Sequence, residues 1–130
     1  METAMPIVHI HLRSGKPDAY RREVADGVYN ALVATFNVPE NDRFITISER
    51  DGVNFDFDRT YPGIHRGPDF IIVQITASNT RTIEQKKALY AAIVRNLEER
   101  PGVRPEDVMI GLTEVAKENW SFGNGIAQYA

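Results

Sequence analysis

The sequence matches itself without a gap when one copy is moved sixty-five positions, so that Asp42 meets Asp107 and Glu49 meets Glu114. Val24, Val28 and Leu32 then fall on Leu89, Ile93 and Leu97, and Val38, Ile45 and Ile47 fall on Val103, Ile110 and Leu112. A long repeat present twice indicates a duplicated supersecondary unit; a solenoid needs three or more copies to cover its core. The copies differ at their first positions. Met5-Pro6 opens one and Phe70-Ile71 the other, so chemistry that uses a proline terminus belongs to one half only.

Within each copy the hydrophobic period switches from two to 3.6 and back. Ile7–Leu12 alternates, with Val8, Ile10 and Leu12 on one face and Ile7, His9 and His11 on the other, which predicts a strand. Tyr20, Val24, Val28, Ala31, Leu32 and Phe36 recur at helical spacing from Asp18 to Phe36, with Pro17 suited to the first turn and Asn37 to a left-handed stop. Phe44–Glu49 reads as the second strand. The second copy replays this order. Phe70–Thr76 is a strand, Thr82-Ile83-Glu84-Gln85 has the form of a capping box, the helix runs to about Arg100, and Val108–Thr113 closes the unit. Arg50–Asp69, rich in Gly, Pro, Asp and Arg, reads as an insertion without a repeat partner, in which Phe55–Asp58 alternates as a short strand or hairpin would.

Two tandem β-α-β units predict an α/β (α+β) two-layer sandwich: a four-stranded sheet with both helices on one face, parallel within each unit. We expect one domain over residues 1–130, with halves at about 6–67 and 71–130 and an extension or misassigned start at 1–5. The second face of the sheet is left without a covering element, and self-association is the expected remedy. Composition removes several functions. The absence of cysteine excludes disulfides, thiolate metal sites and cysteine nucleophiles, and a formal net charge of -3 gives no reason to expect nucleic acid or an anionic membrane. No apolar run approaches the roughly 20 residues that span a bilayer, and the first residues lack the pattern of a secretory signal, so cytoplasmic residence is the expectation.

Few residues remain for chemistry. A chain that starts at Met5 and loses that methionine begins with the secondary amine of Pro6. Pressed among apolar walls and near cations, such an amine has its ammonium form disfavoured and can move a proton near neutral pH; the plain alternative is a proline that opens an edge strand. Asp42, before the second strand, can hold a water or a substrate hydroxyl, although its repeat partner Asp107 suits a turn equally well. Arg81 precedes a helix N-terminus, where a cation opposes the dipole by about 0.3–1 kcal/mol; it is a candidate carboxylate clamp or a solvated arginine. Trp120, Phe122 and Tyr129 can wall a pocket. His9 and His11 form a His-x-His pair with no further ligand at a supporting spacing, so sheet packing or an interface is expected rather than a metal.

Met5-Pro6, Val38-Pro39-Glu40-Asn41-Asp42-Arg43, Arg81-Thr82-Ile83-Glu84-Gln85-Lys86 and Asn119-Trp120-Ser121-Phe122-Gly123-Asn124-Gly125 together resemble the tautomerase superfamily (4-oxalocrotonate tautomerase-like), within it the malonate semialdehyde decarboxylase-like subgroup. The resemblance runs from Pro6 to about Tyr129. It implies an amino-terminal catalytic proline at Pro6, an acidic residue at Asp42, a carboxylate-binding arginine at Arg81, and a hydrophobic wall from Trp120, Phe122 and Tyr129. It also implies a homotrimer with no cofactor and no metal. The pattern departs at Asn79, where the decarboxylases carry a second arginine. The expected activity is therefore a cofactor-independent tautomerase of small 2-oxo acids, with Arg81 and Asn79 holding the substrate. The alternatives are a malonate semialdehyde-type decarboxylase or hydratase, and an oligomeric binding module with a blocked proline.

Overall fold

The computed structural model describes residues 6–130, so Met5 and the 1–4 extension lie outside the described residues. The element order is β1 (Ile7–Arg13), α1 (Asp18–Phe36), β2 (Phe44–Arg50), β3 (Ile71–Ser78), α2 (Ile83–Glu99) and β4 (Val108–Val115), with single 3-10 turns at Pro105–Asp107 and Lys117–Asn119. Each β-α-β unit is parallel, Ile7 pairing with Phe44 and Ile71 with Val108. The units meet through antiparallel β1 and β3, Ile10 opposite Val73, giving the order β2-β1-β3-β4.

The alternation read from the sequence decides what is buried. Val8, Ile10 and Leu12 with Val73, Ile75 and Ala77 form the floor of the core, and Val24, Val28, Leu32, Leu89, Ile93 and Leu97 cover it from the helices. Each of the Val, Ile and Leu side chains contributes about 1.5–3 kcal/mol on burial. Helix α1 stops at Asn37, whose φ of 56° is left-handed, and α2 starts with the reciprocal Thr82–Gln85 capping box. The helices are in contact at Gly27, whose carbonyl accepts from Asn96 Nδ2 at 2.9 Å.

The segment before β3 departs from expectation. Residues 51–70 contain no strand, because Asp51 and Asp58 side chains bind the backbone N–H groups of Val53, Asn54, Thr60 and Tyr61 and fold the chain into turns. Nor is this segment an insertion. At the repeat offset Phe55 and Phe57 fall on Trp120 and Phe122, and both pairs are in ring contact, at 5.1 and 5.8 Å between centroids. Both ends of the duplication are therefore built alike.

On the uncovered face, His9 sits between Thr46 Oγ1 (2.5 Å) and Ser48 Oγ (2.9 Å). His11 bonds Gln74 Oε1 at 2.7 Å and receives Arg50 Nη2 at 3.2 Å. The imidazole nitrogens are thus engaged in cross-strand hydrogen bonds, the sheet packing expected from the sequence.

Candidate active site

Strand register assembles the site. Pro6 directly precedes Ile7, and Ile7 lies between Phe44 of β2 and Thr76 of β3. The loop into β2, which carries Asp42, and the chain leaving β3, which carries Asn79 and Arg81, are thereby brought to the end of the sheet where β1 begins. Pro6, Asp42 and Arg81 are all buried there.

Each is set by local chemistry. Asp42 closes a turn, its N–H donating to Pro39 O at 3.0 Å. The same loop is pinned by the Tyr29 hydroxyl, which donates to Glu40 O and, at 3.3 Å, to Pro39 O. Arg43 stacks on the Tyr29 ring and pairs with Asp26 at 2.7 Å. Arg81 is only 8 % exposed, so it is not the solvated arginine that its sequence position allowed. It lies over the Phe36 ring, donates through Nη2 to Phe36 O at 2.7 Å, and reaches Thr80 Oγ1 at 3.2 Å. Gln85 Nε2 bonds the adjacent Thr35 O at 3.2 Å. The start of α2 therefore satisfies carbonyls at the end of α1 that no intrahelical donor reaches.

Trp120 and Phe122 form the aromatic wall. Trp120 is anchored by Nε1 donating to Ser78 Oγ at 3.2 Å and stacks on Phe122, which meets Tyr129 edge-on at 4.9 Å. Gln128 clasps this loop through Phe122 N and Gly123 O, each at 3.0 Å. Between the wall and the start of β2 is a cleft of about 480 Å³, lined by Ile7, Arg43, Phe44, Ile45, Thr46, Trp120, Ser121 and Phe122. Of the residues expected from sequence, the wall pair lines the cleft itself. Pro6 and Asp42 adjoin it in the chain, one residue before Ile7 and Arg43. Tyr129 backs Phe122. Asn79 is exposed, and its N–H is taken by Val115 O at 3.0 Å.

Arg43, Phe44 and Ser78 were not singled out as site residues from the sequence. Arg43 lay in view within the Asp42 segment, but its place on the cleft depends on pairing between β1 and β2. Nothing in the sequence signals that Ser78 seats the indole.

One end of the sheet thus gathers a buried carboxylate, a buried guanidinium and a strand-opening proline, and an apolar cleft lies beside the starts of β1 and β2. Groups of these kinds can hold a small anion and move a proton.

Comparison with known proteins identifies the family. Two models of the tautomerase enzyme family match the chain, one over residues 42–123 and one over residues 6–55. The chain is 40 % identical over 124 residues to the probable tautomerase YusQ of Bacillus subtilis, covering 95 % of this chain and 98 % of the relative. It is similar to the crystal structure of FG41 malonate semialdehyde decarboxylase inhibited by 3-bromopropiolate, with a TM-score of 0.88, 36 % identity, and coverage of 95 % of this chain and 93 % of that one. A fused 4-OT described as a symmetric trimer shares the fold alone, at a TM-score of 0.78 and 20 % identity over 95 % of this chain and 97 % of that one. The chain belongs to the tautomerase superfamily, in its malonate semialdehyde decarboxylase-like subgroup.

Proposed function

We propose that the protein is a cofactor-independent tautomerase acting on small 2-oxo acids through the imino nitrogen of an amino-terminal Pro6. The observation that carries this reading is the burial of Asp42 and Arg81 at the one sheet end where a strand begins with proline, in a member of a family of enzymes. Neutral Pro6 takes the hydroxyl proton of the enol, leaving an enolate and a prolinium, and returns that proton to the adjacent carbon to give the ketone. Arg81, with Asn79 beside it in the chain, holds the substrate carboxylate, and Asp42 positions the hydroxyl. Trp120, Phe122 and Tyr129 exclude water, which strengthens each of these interactions. By analogy with the fused 4-OT trimer, the uncovered sheet face is closed by a homotrimer, and the protein works in the cytoplasm as a single domain.

A second reading has its own support in the likeness to malonate semialdehyde decarboxylases, at 36 % and 31 % identity. There a cationic Pro6 polarises the carbonyl of a 3-oxo acid. The electrons of the bond to the carboxylate flow toward that carbonyl as carbon dioxide leaves, and Asp42 activates water in the competing hydration. Opposite protonation states of one nitrogen separate the two reactions: tautomerisation is lost below the Pro6 pKa and decarboxylation above it.

The test begins with the intact mass of protein from its native host, expected to show a chain starting at Pro6. Enol-to-keto conversion by that chain is then compared with Pro6→Ala. General acid–base catalysis is worth about 10²–10⁴-fold, so a loss of at least about 10² is expected. Equal rates remove Pro6 from the mechanism, and a mass that retains Met1 favours the non-catalytic module.

A further inference from the structure

The antiparallel pair β1 and β3 relates the two halves, so whatever stands at the start of β1 has a counterpart at the start of β3. At the repeat offset Pro6 corresponds to Ile71, Asp42 to Asp107, and Arg81 to Lys16. The structure places this second set together at the opposite end of the sheet. Asp107 is buried immediately before β4, and Asp42 is buried two residues before β2. Lys16 immediately precedes the cap of α1, as Arg81 precedes the cap of α2. Phe55 and Phe57 stand where the second half has Trp120 and Phe122.

This second set is already occupied by the chain. Gly67 N–H donates to Asp107 Oδ1 at 2.6 Å. Lys16 Nζ meets Asp69 Oδ1 at 2.9 Å, an ion pair outside hydrogen-bond alignment in which that oxygen is shielded from solvent. The fit is tight: a Cβ on Gly67 would lie 2.8 Å from Arg104 Nη1 and 3.3 Å from Asp107 Oδ2. Phe70, 2 % exposed, is roofed by Phe55 and Phe57 at 5.7 and 4.4 Å between centroids. Tyr20 closes the side, its ring 4.9 Å from Lys16 Nζ. Burial, then the Asp69 and Asp107 carboxylates, raise the Tyr20 hydroxyl above its ordinary pKa, as expected of a group beside both acids.

We infer that the chain contains a second, self-occupied copy of the site, in which the Asp69 carboxylate and the Gly67 N–H take the places of a ligand's carboxylate and hydrogen-bond donor. Vacated, it is a binding site for small carboxylates at Lys16. The copy cannot do the chemistry of the first, because Ile71 offers no titratable nitrogen. The inference does not depend on what Pro6 does.

Thermal unfolding of the full chain tests it. Asp69→Ala is melted in sodium acetate and in sodium chloride at equal concentration, beside the parent and beside Lys16→Met/Asp69→Ala. A ligand at ten times its Kd raises Tm by about 3–6 °C in a domain of this size. That rise, over any acetate effect in the parent, is expected in Asp69→Ala and absent once Lys16 is also replaced. Asp69→Ser gives the same readout should the alanine variant fold poorly. An acetate effect no larger than the parent's, or one that survives loss of Lys16, overturns the proposal.

Discussion

The Arg81 guanidinium donates to Phe36 O at 2.7 Å while its residue sits at the mouth of α2, buried at the same end of the sheet as Pro6 and Asp42. Capping and the proposed substrate binding make separable demands on it. A buried hydrogen bond from a charged donor is worth about 1.5–3 kcal/mol, so Arg81→Ala should lower unfolding stability by about that amount in a urea titration. The proposed clamp adds a second effect: KM for carboxylate substrates should rise about 10-fold or more, since each 1.4 kcal/mol of lost binding is a factor of ten. Stability loss with KM unchanged would leave Arg81 as a cap of α1 alone. Asp107 marks the contrast at this scale. It has the same position in the repeat as Asp42, yet its carboxylate serves the Gly67 backbone, so sequence position alone assigns chemistry to neither.

Helices α1 and α2 were legible in the sequence nearly to the residue, because what sets them is local: apolar spacing, a left-handed Asn37, and a Thr82–Gln85 box closed within one turn. Arg81 was not legible in the same way. Its partner Phe36 is remote in sequence, and only the packing of one helix start against the other's end buries it. Phe55–Asp58 was misread because its alternation mimics a strand, whereas Asp51 and Asp58 turn the flanking chain and Phe70 collects the aromatic rings. The helix crossing carries a prediction of its own. Gly27→Ala gains about 1 kcal/mol of helix propensity. Its Cβ, however, would sit 2.8 Å from Leu97 Cδ2, in a core where Leu97 is fully buried and has little room to shift. Overpacking of this kind costs about 1–3 kcal/mol. The net result should be a loss of about 1 kcal/mol by chemical denaturation. A gain would show that the helices can part at no cost. At the repeat partner, Ala92, a small side chain is accommodated, 4 % exposed.

The whole molecule leaves one sheet face without a covering element among the described residues, and that face carries a histidine network from which a pH dependence of stability is predicted. His9 lies between two hydroxyls from β2, its ring centroid 4.3 Å from that of His11, and Arg50 bonds the far side of His11. Burial first, then the charges of His11 and Arg50, lower its pKa below the ordinary imidazole value of 6.5. The folded state thus favours neutral His9 more than the unfolded state does. Its contribution to stability is complete above about pH 6.5 and is lost as pH falls through that value toward the folded pKa. The carboxylates with lowered pKa, Asp58 and Glu106, begin to lose their contribution only as pH falls toward their ordinary values of 3.8 and 4.5, so a pH 5–6.5 window isolates the imidazole. Unfolding free energy in urea should therefore be smaller at pH 5 than at pH 7.5, and His9→Gln, which stays uncharged, should flatten that difference. Covering the face in an assembly pushes the same way, because further desolvation penalises the imidazolium. Ile7, Phe44 and Met109, each about half exposed around the network, supply apolar area for such a cover. A pH dependence that is undiminished in His9→Gln would place the acid sensitivity elsewhere and leave this face a packing surface only.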